Sequence, residues 1–224
     1  MSLRHWFKKD NTEYPEFWQH YAAGFGTKPT MAISDAEFVV FDTETTGFSF
    51  DKDRILSIGA LKLQNGQIRV QQVLEVYLTQ HHFDSESVPI HGLLHNGKKE
   101  QISEKEALKS FLEFIGNAVL VAHHAAFDMG MINTALAREG LPKLKNRVVD
   151  TSVLYRRTLL QSPLLLKQEQ YSLDEIAQKF DISVKDRHTA LGDAFITAMA
   201  FLKCIDRLKC TQLKELFKSG INGF

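Results

Sequence analysis

One strongly apolar run in this chain ends directly in two acidic residues. Residues 38–41 are all apolar, and Asp42-Thr43-Glu44 follow without a break. A short continuous apolar run is typical of a strand that is buried on both faces. Because side chains alternate along a strand, Asp42 and Glu44 point to the same face at its end. The sequence therefore predicts a buried strand that delivers two neighbouring carboxylates to one edge of a sheet.

The rest of the chain alternates between strand and helix patterns. Residues 54–63 and 67–78 read as two strands, and Asn65-Gly66 between them is a strong signal for a tight hairpin. A hairpin followed by alternating helices and strands predicts an α/β fold with a mixed sheet covered by helices. The parallel strands of such a sheet end at the usual ligand crevice. A further strand is predicted at 118–122, and helices at 103–115, 127–138, 148–160, 171–180, 189–208 and 211–218.

Two further acids stand among apolar residues. Asp128 follows Phe127 near a helix start, where an acid also favours the helix dipole. Asp193 lies in an apolar helix, where an unpaired acid would be costly and a salt bridge is the alternative explanation. Together with Asp42 and Glu44 they form an all-oxygen ligand set that suits Mg²⁺ or Mn²⁺. Phosphodiester hydrolysis commonly uses two such ions, so the set predicts metal-dependent hydrolysis of this kind.

His188 stands five residues before Asp193. Five helical steps place two side chains about 140° apart, so His188 is predicted to lie in the loop that enters the helix rather than on the helical face of Asp193. An imidazole at this place could take a proton from the attacking water. The alternative is an ordinary surface histidine, since the chain has nine.

The turn that follows the first two acids offers candidates for substrate contact. Backbone N–H groups near Gly47 could bind the terminal hydroxyl or phosphate of a nucleic-acid strand. Phe48, Phe50 and Phe127 could stack on the last base, which is a sequence-tolerant contact. The alternative is core packing, which is favoured for Phe127. The predicted contact residues in this part of the site are Thr45, Thr46, Gly47, Phe48 and Phe127.

Composition limits the other classes of function. Lys and Arg number 27 and Asp and Glu number 27, so the formal net charge is zero. This balance argues against a strongly basic protein that coats DNA, although it leaves a nuclease possible. The two cysteines do not make a disulfide framework and suit a reducing compartment. We see neither a signal peptide nor an apolar run of roughly 20 residues, so a cytoplasmic location is expected.

The ends of the chain differ from its centre. Residues 1–35 hold both tryptophans and many other aromatic residues, and they are predicted to form an aromatic helical extension. The extension either straps onto the main domain or serves as a docking segment for a partner protein. The predicted division is 1–35 for the extension, 36–210 for the catalytic domain, and 211–224 for a C-terminal helix and tail. Residues 212–217 loosely match a peptide that binds sliding clamps, but an amphipathic helix explains them better.

The three acidic motifs, in this order, resemble the DEDDh exonucleases of the ribonuclease H-like superfamily. The chain looks most like the epsilon proofreading subunit of bacterial DNA polymerase III, from about residue 37 to 208. Thr189 occupies the position at which the sister class has tyrosine, which favours the histidine class. His124 is a departure, because relatives often have asparagine there. The motifs that carry the resemblance are residues 41–47, 123–128, 150–157, 171–173 and 188–193.

The resemblance implies a fold, a reaction and a set of site residues. The fold is a ribonuclease H-like mixed sheet of about five strands flanked by helices. The reaction is 3′→5′ release of nucleoside 5′-monophosphates with two Mg²⁺ or Mn²⁺ ions. The implied substrate is a single-stranded or frayed DNA 3′ end. The implied role is proofreading or repair, with a polymerase or a sliding clamp as the partner. It assigns Asp42, Glu44, Asp128 and Asp193 as metal ligands and His188 as the general base, while His124 is predicted to contact substrate. The alternatives are an exoribonuclease that acts on RNA ends, as ribonuclease T and oligoribonuclease do, and a non-catalytic polymerase-associated subunit.

Overall fold

The structure, a computed structural model, describes residues 13–26, 32–80, 100–159 and 170–217. In chain order the strands are β1 (Glu37–Thr45), β2 (Ile55–Gln64), β3 (Gln67–Leu78), β4 (Gln101–Ile102), β5 (Val119–Ala122) and β6 (Val148–Asp150). The helices are α1 (Glu16–Ala23), α2 (Glu104–Ile115), α3 (Ala126–Arg138), α4 (Thr151–Thr158), α5 (Leu173–Phe180), α6 (Ala190–Leu208) and α7 (Leu213–Leu216), and a short 3₁₀ turn at Gly24–Gly26 follows α1.

The strands form one six-stranded mixed sheet in the order β4-β3-β2-β1-β5-β6. β1 lies in the interior, antiparallel to β2 and parallel to β5. Phe38 and Val40 pack on one face of the sheet with residues of α4, α5 and α6, whereas Val39 and Phe41 pack on the other with residues of α1, α2 and α3. The prediction of a strand buried on both faces is therefore confirmed.

The hairpin between β2 and β3 is also confirmed. Asn65 and Gly66 both have positive φ angles, 49° and 68°, as a two-residue turn between twisted strands requires. Ser103 forms the predicted capping box with Glu106 at the start of α2.

The predicted mixed sheet is present, and among the described residues it has six strands where about five were expected. Two strands have no counterpart among the strands read from the sequence, β4 and β6, and β4 pairs only Gln101 and Ile102 with the end of β3. The helix predicted over 148–160 also needs correction: residues 148–150 form β6, paired with β5, and α4 begins at Thr151. The helix predicted over 211–218 is shorter, since α7 spans Leu213–Leu216 and residues 218–224 lie outside the described residues.

The described part of the aromatic extension packs on the main domain. Trp18 and Tyr21 of α1 are buried in the core on the α2 side of the sheet. The Tyr21 hydroxyl donates to Asn146 Oδ1 at 2.6 Å and accepts from the Lys145 amide at 2.7 Å. Residues 1–12 and 27–31 lie outside the described residues, so the docking alternative for this extension stays a prediction. Within the described ranges, no helix has the length and apolar character needed to cross a membrane.

Candidate active site

The alternation of β1 sends its acids and its threonine to opposite sides of the sheet. Asp42 and Glu44 continue the face of Phe38 and Val40, which packs toward α6. Thr43 continues the other face, toward α3. The end of β1 can therefore meet one acid from α6 and another from α3, and Asp193 and Asp128 occupy those places.

A glycine in β2 lets α6 approach this end of β1. Gly59 is the cross-strand partner of Asp42. A Cβ at Gly59 would lie 2.1 Å from the Leu191 amide nitrogen, so a side chain at this position would force the start of α6 away from the sheet. Because Asp193 lies in the first turn of α6, this close packing brings its carboxylate to Asp42 and Glu44.

Asp42, Glu44 and Asp193 form what we call the acidic cluster. One carboxylate oxygen from each of these residues lies within 4.8 Å of the others. Asp193 Oδ2 accepts from Arg187, whereas Asp193 Oδ1 is buried with no hydrogen-bond partner among the described residues. A buried acceptor without a donor is costly, and a cation would satisfy it. Carboxylate oxygens without thiolates are the donors that a hard divalent ion takes, so the cluster fits a metal ion of that class.

Asp128 stands apart from the acidic cluster but next to it. Its Oδ1 accepts from the Thr43 amide at 3.0 Å and from the Thr43 hydroxyl at 2.7 Å. Its charge contributes, after burial, to the raised pKa of Asp42, so the two carboxylates interact electrostatically. The structure thus brings all four predicted acids to one place, three within a common coordination distance and the fourth beside them.

Burial and the charges of neighbouring acids raise the pKa values of carboxylates in this site. Burial, then the charges of Asp128 and Asp193, hold the pKa of Asp42 well above its usual range. Burial, then the charge of Asp193, raises the pKa of Glu44 to about 7. Burial raises the pKa of Asp128 to about 7, although the two bonds from Thr43 oppose this shift. A bound cation would reverse the repulsion that contributes to these shifts.

His188 lies in the turn before α6, as its spacing from Asp193 predicts. It is exposed, has a φ of 65°, and its charge lowers the pKa of Glu44. The neighbouring Arg187 donates from Nε to Asp174 Oδ1 at 2.6 Å and from Nη1 to Asp193. Arg187 therefore ties this turn to α5 and to the acidic cluster at once. The sequence analysis assigned no role to Arg187, although it did select the adjacent residue, His188.

His124 lies in the turn that begins α3. Its φ of 53° belongs to the left-handed region, which asparagine and histidine adopt more readily than most residues. The amides of His124 and Ala125 donate to the Asp150 carboxylate at 3.3 and 2.9 Å, and the Ser152 amide donates to it at 2.8 Å. Asp150 therefore joins the start of α3, and with it Asp128, to the end of β6. Sequence reasoning assigned Asp150 no such role.

The predicted contact residues after β1 lie in an ordered loop beside the acids. Thr45 is buried, and its hydroxyl donates to the Gly47 carbonyl at 2.8 Å. The Thr46 hydroxyl donates to Asp53 Oδ1 at 2.8 Å. Phe48 is 86% exposed, while Phe127 on α3 is half-buried with its ring centroid 5.7 Å from that of Phe48. Both hydroxyls make bonds within the loop, and direct contact of these residues with substrate stays a prediction.

Comparison with solved structures places this fold among the nucleases. Exonuclease I of E. coli in complex with a dT13 oligonucleotide superposes with a TM-score of 0.65 at 14% identity, over 78% of this chain and 42% of that one. Exonuclease X in complex with 5′ overhanging duplex DNA gives a TM-score of 0.62 at 19% identity, over 82% of this chain and 99% of that one. At such identities the likeness shows the fold alone, and the predicted ribonuclease H-like class is confirmed.

The sequence comparisons identify the family. The exonuclease family model matches residues 39–201, and the chain belongs to that family. A PolC-type DNA polymerase III of Halalkalibacterium halodurans is 38% identical over 168 residues, which are 75% of this chain and 11% of that protein. The PolC-type enzyme of Caldanaerobacter subterraneus is 35% identical over 88% of this chain and 13% of that protein. The predicted identification as a 3′→5′ exonuclease of the DEDDh class, with a relationship to DNA polymerase III, is confirmed, and this chain spans about an eighth of the length of these relatives.

Proposed function

We propose that this protein removes nucleoside 5′-monophosphates from the 3′ ends of DNA in a reaction that depends on divalent metal ions. The observation that carries the proposal is the acidic cluster, in which three carboxylates lie within 4.8 Å and Asp193 Oδ1 is buried without a partner among the described residues. Such a set is stable only with a cation or with bound protons, and phosphodiester hydrolysis is the chemistry that such cations commonly serve.

Two Mg²⁺ or Mn²⁺ ions fit the donors at this place. Asp42, Glu44 and Asp193 would hold one of them. Asp42 would share a second with Asp128, whose charge acts on it. Because the Thr43 bonds occupy its Oδ1, Asp128 would serve that second ion with Oδ2, directly or through water. When bound, such ions activate the attacking water and stabilise the leaving oxygen.

The chain's own residues supply the proton transfer and the positioning. His188 is exposed beside Glu44, where it can take the proton of the attacking water. Arg187 holds the turn that carries His188 through its bonds to Asp174 and Asp193. Phe48 and Phe127 would stack on the terminal bases, and backbone groups near Gly47 would contact the strand end. His124 would contact the substrate from the start of α3.

DNA is the favoured substrate because of the relatives. The similar proteins are PolC-type DNA polymerases, and the two superposed nucleases are in complex with a dT13 oligonucleotide and with 5′ overhanging duplex DNA. A role in proofreading or repair beside a polymerase follows as part of the proposal. We also propose residues 36–210 as the catalytic domain, between the extension at 1–35 and the C-terminal segment at 211–224.

The test offers three labelled substrates to one preparation. Single-stranded DNA, duplex DNA with a mismatched 3′ end, and short RNA, each labelled at the 5′ end, are incubated with Mg²⁺ or with EDTA. We expect a ladder that shortens from the 3′ end on both DNA substrates and requires Mg²⁺. Asp42→Ala should remove the ladder, whereas Asp51→Ala, which changes an exposed acid in the following loop, should retain it. Preference for RNA would overturn the substrate assignment, and absence of any digestion would overturn the reaction.

A further inference from the structure

Asp53 organises the loop between β1 and β2, residues 46–54, which we call the β1–β2 loop. Asp53 Oδ1 accepts from the Thr46 hydroxyl at 2.8 Å, and Oδ2 accepts from the Ser49 amide at 2.7 Å. The Asp53 amide in turn donates to the Ser49 carbonyl at 2.8 Å. One carboxylate therefore joins both sides of the loop across its base.

Two glycines show how closely the β1–β2 loop is packed. A Cβ at Gly47 would lie 2.7 to 2.8 Å from the Asp53 carboxylate, so Gly47 leaves room for this side chain. A Cβ at Gly130 on α3 would lie 2.4 Å from the ring of Phe50, so that ring rests against the helix backbone. The loop is thus tied internally by Asp53 and docked onto α3 by Phe50.

This ordered loop carries an aromatic ring that is almost fully outside the core. Phe48 is 86% exposed, and its ring centroid lies 5.7 Å from that of Phe127. The loop begins two residues after Glu44 of the acidic cluster. An exposed ring on a well-tied loop beside the acids can receive a base with little loss of conformational entropy.

We propose that Asp53 is a positioning residue that holds Phe48 ready to stack on an unpaired base near the strand end. The inference rests on the proposed function, since it takes nucleic acid as the ligand. Asp53 itself lies inside the loop and acts through Phe48. Without the Asp53 carboxylate the β1–β2 loop would sample other conformations. Part of the free energy of stacking would then be lost in ordering the loop during binding.

The test is a double-mutant cycle between Asp53 and Phe48. The variants are Asp53→Ala, Phe48→Ala and the combination, with Asp53→Asn as the conservative variant and Asp51→Ala as the matched control. KM and kcat are measured on single-stranded DNA, and anisotropy measures binding of a fluorescent oligonucleotide in EDTA. Hydrolysis of thymidine 5′-(p-nitrophenyl phosphate), which has one base and no neighbouring nucleotide, reports on the metal centre separately.

We expect Asp53→Ala and Phe48→Ala each to weaken oligonucleotide binding about fivefold or more, in KM rather than in kcat. The combination should bind no more weakly than Phe48→Ala alone, because Asp53 acts through that ring. Asp53→Asn should stay within about threefold of the wild type, since its amide can accept from Ser49 and donate to Thr46 Oγ1. Asp51→Ala should bind as the wild type does.

Additive losses in the combined variant, or loss of kcat with KM unchanged, would overturn the positioning role. Tighter binding by Asp53→Asn would also overturn it, since that result would make the Asp53 charge a repulsive element. If Asp53→Ala does not fold, the cycle runs with Asp53→Ser, which removes one of the two acceptor oxygens and shortens the side chain, and additive losses there have the same meaning. Failure of the small diester to react while the anisotropy cycle shows coupling would sink the proposed reaction but retain the proposed role of Asp53.

Discussion

The carboxylates around the end of β1 fall into two groups with opposite surroundings. Asp53 and Asp150 face N–H and O–H donors: Asp53 accepts from Ser49 and Thr46, and Asp150 accepts from three backbone amides. Within the acidic cluster Arg187 pairs with Asp193, but burial and then the charges of neighbouring acids raise the pKa values of Asp42 and Glu44. Acids of the first group complete the fold, whereas acids of the second group destabilise it until a cation binds.

This difference predicts that the two groups respond in opposite ways to neutralisation. Replacing an acid of the cluster should remove activity and relieve repulsion in the metal-free protein. Replacing Asp150 should remove hydrogen bonds and weaken the fold. The four predictions below test this contrast, beginning with the largest expected effect.

Asp42→Ala should lower the rate of Mg²⁺-dependent digestion on the order of 10³-fold, because the charges of both Asp128 and Asp193 act on Asp42, which is the acid that two ions would share. Digestion of labelled DNA measures the rate. In EDTA its unfolding temperature should equal or exceed that of the wild type, since a repulsive charge is removed. An active variant would contradict the assignment of Asp42, and a strongly destabilised one would place it with the structural acids.

His188→Ala should lower the rate by about 10²–10⁴-fold, which is the range of general-base catalysis. Because the side chain is exposed, the free energy of unfolding should fall by only about 1 kcal/mol or less, which is the cost of alanine at a φ of 65°. Single-turnover digestion and urea unfolding measure the two quantities. His20→Ala, a change at an exposed histidine on α1, is the matched control. A variant of His188 that keeps the wild-type rate would remove this residue from the mechanism.

Asp150→Ala should lower the free energy of unfolding by about 1–3 kcal/mol, because three backbone amides lose a charged acceptor. Urea unfolding in EDTA measures the loss, and Asp51→Ala should show almost none. Since Asp150 holds the turn that begins α3, activity should fall as well and recover in part in Asp150→Asn. Unchanged stability in Asp150→Ala would mean that water replaces the carboxylate in this turn.

The elements that the sequence predicts correctly are those with a local signal. The apolar run before Asp42 and the alternation that pairs it with Glu44 are readable along one strand, and Asn65-Gly66 specifies its own turn. The approach of Asp193 to β1 could not be read in this way, because it depends on the missing side chain of Gly59, far away in the sequence. The family resemblance supplied that assignment instead.

Short elements and structural acids escaped prediction for a related reason. β4 and β6 have two and three residues, too few to show a period, and their strand character comes from pairing with β3 and β5. Asp53 looks like an ordinary loop acid, and Asp150 falls in a predicted helix, until the groups that donate to them are located. What separates a structural acid from a metal ligand is the set of groups around it, and that set is assembled only by the tertiary fold.

The pH dependence of the metal-free protein gives the smallest effect and the most direct test of the contrast. Glu44 has its pKa raised from 4.5 to about 7. Below pH 4.5 it is protonated in both the folded and the unfolded chain. Between pH 4.5 and 7 the unfolded chain releases this proton while the folded chain keeps it, so this group makes stability fall as the pH rises. Above pH 7 its contribution is constant.

Glu44→Gln cannot release a proton, so its stability relative to the wild type should increase between pH 4.5 and 7 by on the order of 1 kcal/mol. Urea unfolding in EDTA at several pH values measures this difference, and Glu113→Gln, at an exposed position on α2, is the control. In Mg²⁺ at pH 7.5 the wild type should be more stable than Glu44→Gln, because metal binding stabilises the wild type and is weakened in the variant. Parallel pH curves in EDTA would mean that Glu44 is stabilised by donors as Asp150 is, and the contrast between the two groups of acids would fail at this residue.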